Sequence, residues 1–263
     1  MQFSFRLQYD GTFFCGSQLQ SNVRTVQGDL EYSISKVFSA KIRVKLSSRT
    51  DSGVHAYFQV GTFNVNTSMT TQNMIDAINF YLSDDVEIIC IHQVKNNNFD
   101  PRGDAISRTY IYKLSDSKDL SVLYRQHVTK VKKKIDINIM KLLSKKLVGK
   151  HDFASFISSK VPKNAFTKRE VFSTSVISKE NVIFFTITAN SFLHQQIRRI
   201  VGSMYRISVG IDKLEVFEDQ LSNPKRGKAS FVISPKGLTL SNILYKYALE
   251  CGLPGEKTVS KLC

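Results

Sequence analysis

The sequence predicts an α+β fold. Segments with the alternating apolar and polar residues of strands follow segments with the apolar spacing of helices along the whole chain. No glycine-rich phosphate-binding loop, which would favour a doubly wound α/β fold, accompanies them. A chain of 263 residues with 42% hydrophobic content is large enough to bury a core in one large domain or two small ones.

In the first half of the chain, residues 1–9 alternate apolar and polar side chains and predict a strand. Further strands are predicted over 42–48, 57–65 and 86–94, and the first two of these flank a loop around Asp51. Thr25 is placed to cap a helix whose apolar stripe is Val26, Leu30, Ile34, Val37 and Phe38. A second helix is predicted around the apolar residues Met74, Ile75, Ile78 and Leu82.

The polar, turn-prone residues 95–98 precede a subdomain boundary, which we place between residues 105 and 106. The second half, 106–263, begins with a strand over 109–114. Asp136 is placed to cap a helix with the apolar residues Ile139, Leu142, Leu143 and Leu147. Residues 182–189 alternate as a strand, 192–207 form an amphipathic helix, and a last helix over 241–251 ends before Gly252 and Pro254.

The charge balance indicates a polyanionic partner. There are 37 Lys and Arg against 22 Asp and Glu, so the formal net charge is +15, and the sequence pI is near 9.6. Such an excess is typical of proteins that bind nucleic acid. The basic runs at 130–134, 145–146 and 225–228 are each compatible with a solvated surface, so only their summed sign supports this prediction.

The cysteine and hydropathy patterns favour a cytoplasmic protein. The N-terminal residues lack the continuous apolar stretch of a signal peptide, and no apolar run is long enough to predict a membrane span. The four cysteines show no C-x-x-C spacing, which favours reduced thiols over a disulfide framework or a zinc site. The histidines lack metal-ligand spacing, so neither a metal nor a cofactor is predicted.

The run S-S-R-T-D-S-G-V-H-A at 47–56 is where the sequence places the chemistry. Asp51 follows Arg49 by two residues and precedes Ser52 and Gly53, so its carboxylate is expected at a loop tip. A carboxylate in that position serves as a nucleophile or a base. The alternative is that residues 50–53 form an ordinary Asx-type turn without chemistry.

The string R-T-D-S-G-V-H-A at 49–56 resembles the active-site loop of the tRNA pseudouridine synthase A family. The resemblance continues in order over nearly the whole chain. Its other blocks are Y-D-G-T at 9–12, T-V-Q-G at 25–28, R-T-Y-I-Y at 108–112, G-K-H-D-F-A-S-F at 149–156, and A-N-S-F-L-H at 189–194 followed by Arg198 and V-G at 201–202.

This resemblance implies two RRM-like (ferredoxin-like) subdomains whose antiparallel sheets join, with the catalytic cleft between them. Residues 1–105 would carry the aspartate loop, and residues 106–263 would complete the cleft. The implied reaction is isomerisation of uridine to pseudouridine at positions 38, 39 and 40 in the anticodon stem-loop of tRNA, on a flipped-out base. A homodimer is also implied.

The resemblance makes Asp51 the catalytic aspartate. A carboxylate in a site that excludes water stays ionised only if a cation favours its charged form, so an arginine partner is expected. The position in the motif implies Arg198. The residue pattern alone does not choose between Arg198 and Arg199, and a solvated helix face or phosphate contacts would also explain both.

Three further residues are implied to bind the substrate. Tyr110 matches the family tyrosine that stacks on the target base, although its strand position also suits a core residue. Arg49 would hold an RNA phosphate or fill the space that the flipped nucleotide leaves, and its alternative is a plain surface arginine. Leu238 resembles a leucine of the uracil pocket, with core packing as its alternative.

Two other functional classes compete with this interpretation. A non-catalytic basic RNA-binding protein would be expected to have lost Asp51, Arg198 or Tyr110, and the sequence retains all three. A carboxylate-metal nuclease would need several spaced acidic ligands, whereas the Asp51 region supplies one. The departures from the family pattern are Ser48, Gln195, Gln196 and the segment 230–235, and none of them removes a catalytic group.

Overall fold

A computed structural model describes residues 1–95, 98–158 and 160–246. The described residues form both helices and strands, and most neighbouring strands pair antiparallel, which confirms the α+β class. The α-helices are α1 (Val26–Phe38), α2 (Thr71–Tyr81), α3 (Ile137–Lys145), α4 (Gln196–Ser208) and α5 (Leu214–Ser222). The strands are β1 (Gln2–Tyr9), β2 (Lys45–Leu46), β3 (His55–Asn64), β4 (Val86–Gln93), β5 (Ala105–Ser115), β6 (Thr129–Lys130), β7 (Gly149–Asp152), β8 (Lys168–Lys179), β9 (Val182–Ala189) and β10 (Leu238–Tyr245).

The chain divides into two compact units. The first comprises Met1–Ile106 with Leu240–Cys263, and the second comprises Ser107–Thr239. In the first unit, β1 lies between β3 and β4 and pairs antiparallel with both. β10 pairs with β3 on the side away from β1, and the short β2 also pairs with β3. Strand pairing thus brings residues 240–245 into the first unit, which the sequence pattern did not indicate.

The helices of the first unit begin where hydroxyl side chains can cap them. Thr25 accepts a hydrogen bond from the backbone N–H three residues further on, and Thr70 does the same for α2. This confirms the predicted cap of α1. The buried residues of the two helices are Val26, Leu30, Ser33 and Ile34 in α1 and Met74 and Ile78 in α2.

Within the second unit, the strands are ordered β5-β9-β8-β7. Neighbouring strands in this order pair antiparallel, and β6 pairs parallel to β5. Asp136 caps α3 by accepting hydrogen bonds from the backbone N–H groups of Asn138 and Ile139, as predicted. Helix α3 packs against β8 and α4. The buried apolar residues of α4 are Ile197, Ile200, Val201, Met204 and Ile207.

Helix α4 begins later than predicted. The amphipathic pattern predicts a helix from residue 192, but Gln195 has a φ of 62° and interrupts any helix there. The buried side chain of Gln196 accepts a hydrogen bond from the backbone N–H of Leu193 at 2.8 Å. The loop before α4 is therefore fixed by an amide side chain.

Two strand predictions are corrected. The strand predicted over 42–48 shrinks to β2, because the backbone N–H groups of Ile42 and Val44 bind the side chains of Ser35 and Glu31 at 3.1 Å. The helix predicted over 241–251 is wrong for residues 241–245, because these residues form the end of β10. Residues 247–251 lie outside the described residues.

No helix among the described residues is long and apolar enough to cross a membrane. Cys15 is a free, exposed thiol. Cys251 and Cys263 lie outside the described residues.

Candidate active site

Asp51 lies on the loop that connects β2 to β3 in the first unit. Its side chain is half-buried. The backbone carbonyl of Asp51 accepts a hydrogen bond from the N–H of Val54 at 3.2 Å, and Gly53 has a φ of 77°. The backbone therefore turns sharply after Asp51, as the sequence predicts for a loop tip.

The residue before Asp51 is fixed on three sides. The hydroxyls of Thr50 and Tyr9 share a buried hydrogen bond of 2.9 Å. The backbone N–H of Thr50 donates to Ser17 Oγ at 2.9 Å, and its carbonyl accepts from the N–H of Ser17 at 3.2 Å. Burial raises the pKa of Tyr9 to about 12, against the smaller effects of its hydrogen bonds to Thr50 and Gln59. The Tyr9 hydroxyl is therefore neutral at physiological pH.

The segment after β1 is shaped to lie against this loop. A Cβ on Gly11 would be 2.0 Å from the carbonyl oxygen of Val54, and one on Gly16 would be 2.8 Å from that of Thr50. Gly16 also has a φ of 95°, which side-chain-bearing residues rarely adopt. The block Y-D-G-T at 9–12 and the glycine at 16 thus supply the close approach that the Asp51 loop requires.

Further bonds hold the far side of the loop. The carbonyl of Phe14 accepts from the backbone N–H of Gly53 at 3.2 Å and from the hydroxyl of Ser52 at 3.1 Å. The buried Nδ1 of His55 accepts from the N–H of Gly11 at 3.1 Å and lies 3.0 Å from Asp10 Oδ1. His55 is thus part of the packing between this loop and the segment after β1.

Sequence reasoning missed Gln59, which supports the start of the loop. Its side-chain amide is fully buried on β3 and forms two hydrogen bonds with the backbone of Ser48. Gln59 Oε1 accepts from the Ser48 N–H at 3.1 Å, and Gln59 Nε2 donates to the Ser48 carbonyl at 2.8 Å. A glutamine between the apolar residues Phe58 and Val60 was the available signal, because a polar side chain buried in a strand needs a partner.

Arg49 is exposed and lies on the same loop as Asp51. It lines a surface cavity of about 390 Å³ in the first unit. Partial burial lowers the pKa of Arg49, and the positive charge of Arg102 lowers it further. Two like charges therefore lie close together beside this cavity.

In the second unit, α4 places Arg198 and Arg199 against the segment 229–233. Arg198 Nε donates to the carbonyl of Ile233 at 2.9 Å. Arg199 donates to the carbonyl of Ala229 at 2.7 Å and to Gln195 Oε1 at 3.2 Å. Burial lowers the pKa of Arg199, with a further lowering by the charge of Arg198. Both arginines are therefore anchored by backbone carbonyls, whereas the sequence pattern left a solvated helix face or phosphate contacts open for each.

Tyr110 and Leu238 are both buried in the second unit. The ring of Tyr110, on β5, meets the ring of Phe192 edge to face, with centroids 5.2 Å apart. Leu238 is the first residue of β10 and is 5% exposed. The substrate-binding roles of both residues remain predictions.

Tyr112 lies two residues beyond Tyr110 and is fully buried. Its hydroxyl donates to the carbonyl of Ser234 at 2.7 Å and lies 2.7 Å from Thr129 Oγ1. Burial raises the pKa of Tyr112, against the lowering effects of Thr129 and of the positive charge of Arg198. Tyr112 thus holds the backbone next to Ile233, which in turn accepts from Arg198.

The predicted site residues fall into both units. Asp51 and Arg49 share one loop of the first unit, whereas Arg198, Tyr110 and Leu238 belong to the second. The first unit brings together the loop that carries Asp51 and the residues that anchor this loop. The second unit brings together Arg198 on α4 and the residues that anchor its side chain.

Comparison with known proteins agrees with the family resemblance of the sequence. The family model described as tRNA pseudouridine synthase matches residues 7–102 and 143–246. These ranges include Arg49, Asp51, Arg198 and Leu238, whereas Tyr110 lies outside them.

Several curated relatives are similar over nearly their full length. A tRNA pseudouridine synthase A of Thermosipho africanus is 35% identical, covering 93% of this chain and 99% of the relative. One of Fervidobacterium nodosum is 35% identical over 92% of this chain and 98% of the relative. The tRNA pseudouridine synthase A 2 of Bacillus cereus is 31% identical with the same coverages. A chain from the crystal structure of a Cbf5-Nop10-Gar1 complex has a TM-score of 0.34 and 9% identity, covering 79% of this chain and 54% of that one.

Proposed function

The chain belongs to the tRNA pseudouridine synthase A family and is an isomerase that forms pseudouridine in tRNA, and we propose that its targets are uridines 38, 39 and 40 of the anticodon stem-loop. The family resemblance supports these positions, and the observation that supports catalysis at Asp51 is the anchoring of its loop. Tyr9 binds the side chain of Thr50, Ser17 binds the Thr50 backbone, and the Phe14 carbonyl accepts from the N–H of Gly53, so the loop is held on both sides of Asp51. A catalytic carboxylate needs such fixed placement, because small displacements of a reacting group are costly.

Asp51 is the proposed nucleophile. It attacks the ribose anomeric carbon or the uracil ring, or it initiates formation of a glycal. In each route the glycosidic bond to nitrogen breaks, the uracil rotates, and carbon 5 is joined to the ribose before its proton leaves. Substrate and product have the same atoms, so the reaction needs neither an oxidant nor a second substrate. We propose that no metal or cofactor takes part.

Arg198 is the proposed partner of the catalytic carboxylate. A guanidinium beside a carboxylate favours the charged form, which is the form that can attack. The support is the match of A-N-S-F-L-H at 189–194 and Arg198 to the family motif, together with the anchoring of the Arg198 side chain by Ile233.

Tyr110, Arg49 and Leu238 are proposed to bind the target nucleotide. Stacking a base on an aromatic ring contributes about 1–3 kcal/mol, which offsets much of the few kcal/mol that flipping the base costs. Tyr110 is buried beside Phe192, so stacking requires that one face of its ring become accessible.

The remaining parts of the proposal concern architecture and location. The order β1-α1-β2-β3-α2-β4, with β1 between β3 and β4, supports an RRM-like first unit. We extend this to an RRM-like second unit, with joined sheets and a catalytic cleft between the units, as the family resemblance implies. A homodimer acting in the cytoplasm completes the proposal.

A single assay tests the proposed targets. The protein is incubated with unmodified tRNA in EDTA, and pseudouridine is mapped by carbodiimide treatment and primer extension. We expect stops that report positions 38, 39 or 40. Binding without modification would favour the non-catalytic RNA-binding alternative, and strand cleavage that appears only with Mg²⁺ would favour a nuclease. Either result contradicts the proposal.

A further inference from the structure

Phe13 is a large apolar side chain that the first unit leaves in solvent. It ends the short turn Gly11–Phe13 after β1, and it is 74% exposed. Its neighbour Phe14 is buried instead, with its ring edge to face against Tyr9 at a centroid distance of 6.4 Å and the guanidinium of Arg24 4.1 Å from its own centroid. The interior therefore takes one of two adjacent aromatic rings and leaves the other in water, where its exposure is unfavourable.

The backbone that carries Phe13 is fixed. Asp10 Oδ1 accepts hydrogen bonds from the backbone N–H and the hydroxyl of Thr12 at 2.9 and 2.5 Å. The N–H of Phe14 donates to the carbonyl of Gly11 at 3.0 Å and closes the turn. The backbone around Phe13 is therefore ordered before any ligand binds, which lowers the entropy cost of using its ring for binding.

The turn that carries Phe13 is bonded to the Asp51 loop. The carbonyl of Phe14 accepts from the N–H of Gly53 at 3.2 Å and from the hydroxyl of Ser52 at 3.1 Å. Consecutive Cα atoms are about 3.8 Å apart, so Phe13 lies one such step from a residue that binds the two residues after Asp51. The exposed ring therefore stands beside the loop of the proposed nucleophile.

Exposure alone does not make a binding residue, because single apolar side chains are common on protein surfaces. Phe80 is such a residue in the same unit. It is 80% exposed on α2, and its ring meets that of Tyr81 edge to face with centroids 5.2 Å apart. Phe13 differs from Phe80 in its place, because a substrate RNA has to lie against the Asp51 loop for Asp51 to act.

We propose that Phe13 stacks on an unpaired base of the substrate tRNA next to the uridine on which Asp51 acts. This inference rests on the proposed function. Extruding a nucleotide breaks its stacking on its neighbours. A ring that stacks on a neighbouring base offsets part of this cost, and it accepts any base because every base has a π-face. The role is distinct from that proposed for Tyr110, which would stack on the target uracil itself.

A mutant cycle between protein and RNA tests this contact. The full-length protein is titrated with unmodified tRNAs that are either intact or carry one abasic nucleotide in the anticodon stem-loop. The wild type should lose roughly tenfold in affinity at one abasic nucleotide adjacent to the uridine that becomes pseudouridine. Phe13→Ala should lose about as much with intact tRNA and nothing further at that nucleotide. Its salt dependence should equal that of the wild type, because no charge is removed.

Three variants control for the chemistry and the place of the ring. Phe13→Trp keeps an aromatic face and should retain most of the affinity, whereas Phe13→Leu is apolar without such a face and should bind like Phe13→Ala. The matched control Phe80→Ala removes an equally exposed ring from α2 and should bind every tRNA like the wild type. Melting temperatures of the Phe13 variants should stay close to that of the wild type, because the ring is exposed.

The outcomes separate the stacking contact from the reaction. Additive losses from Phe13→Ala and each abasic nucleotide overturn the contact, and so does wild-type affinity of Phe13→Leu. A Phe13→Ala variant that differs from the wild type only in its sedimentation also overturns it, because the ring would then contact another protein chain. Pseudouridine formation by Asp51→Asn with the coupling intact overturns the proposed function, whereas an inactive Asp51→Asn without the coupling in the Phe13 cycle overturns the stacking contact alone.

Discussion

Asp51 and Arg198 are carried by two different kinds of structure. Asp51 lies on a loop that is held by hydrogen bonds of Tyr9 with the Thr50 side chain, of Ser17 with the Thr50 backbone, and of the Gly53 N–H with the Phe14 carbonyl. Arg198 lies on α4, whose backbone is placed by the helix's own hydrogen bonds. A helix keeps its geometry when one tertiary contact is lost, whereas a loop depends on each contact. The loop should therefore be the more sensitive region to small changes.

A buried tyrosine serves each region in a similar way. The Tyr9 hydroxyl binds Thr50, the residue directly before Asp51. The Tyr112 hydroxyl binds the carbonyl of Ser234, next to the residue that accepts from Arg198. Tyr9 therefore acts on the loop that carries Asp51, the proposed nucleophile, whereas Tyr112 acts on a segment that only supports Arg198. This difference can be measured.

The largest expected loss of activity comes from replacing Asp51 on its loop. Asp51→Asn should reduce single-turnover pseudouridine formation by at least about a thousandfold, because an amide cannot serve as the nucleophile that we propose Asp51 to be. Affinity for tRNA should change little, since one charge is small beside a net charge of +15. The control is Asp84→Asn, which removes an exposed carboxylate of the same unit. Substantial turnover by pure Asp51→Asn would remove the aspartate from the mechanism.

The second expected effect separates the two arginines of α4. At saturating tRNA, Arg198→Ala should lower the single-turnover rate by about a hundredfold or more, because the proposed cationic partner of the Asp51 carboxylate is lost. Arg199→Ala should leave that rate nearly intact but cost about 1.5–3 kcal/mol of stability, since its charged hydrogen bonds to Ala229 and Gln195 disappear.

Melting temperatures measured beside the rates complete this test. An Arg199→Lys variant retains the charge but loses the planar fork, so it should recover only part of the stability. If Arg199→Ala abolishes the saturated rate while Arg198→Ala leaves it unchanged, the two roles are reversed. If Arg199→Ala has the melting temperature of the wild type, the prediction that Arg199 anchors the segment 229–233 is wrong.

Features that depend on near neighbours in the sequence were predictable, whereas features that depend on distant residues were not. The caps at Thr25 and Asp136 were predictable because a capping side chain binds backbone only two or three residues away. The class of fold followed from the same local periodicities. The anchors of Arg198 and Arg199 were not predictable, because their carbonyl partners lie about thirty residues further along the chain.

Strand β10 was missed for a related reason. The run L-T-L-S-N-I-L-Y at 238–245 has apolar residues at both helical and strand spacings, so periodicity alone does not decide. Pairing with β3, more than 170 residues earlier, decides it in favour of a strand. The supporting roles of Ser17 and Gln59 were missed likewise, since each becomes visible only when the loop is folded against it.

The smallest expected effect distinguishes the two tyrosines. Tyr9→Phe and Tyr112→Phe each remove only a buried hydroxyl, so each should cost about 1 kcal/mol or somewhat more and lower the melting temperature by about 2–4 °C per kcal/mol. Each hydroxyl makes two hydrogen bonds, Tyr9 with Thr50 and Gln59 and Tyr112 with Thr129 and Ser234, so the two losses of stability should be similar. The saturated single-turnover rate should separate the two variants. Tyr9→Phe should slow it several-fold, up to about tenfold for 1.4 kcal/mol, because the side chain of Thr50, directly before Asp51, loses its buried hydrogen bond.

Tyr112→Phe should change the rate less than twofold, since α4 still places Arg198. Thr50→Val is the matched test of the same hydrogen bond from its other end. If the loop is held through this bond, Thr50→Val and Tyr9→Phe should slow the reaction by similar factors, and the double variant should be little slower than either. Equal rate effects of Tyr9→Phe and Tyr112→Phe would show that helix and loop are equally sensitive to their anchors, and the distinction between them would fail.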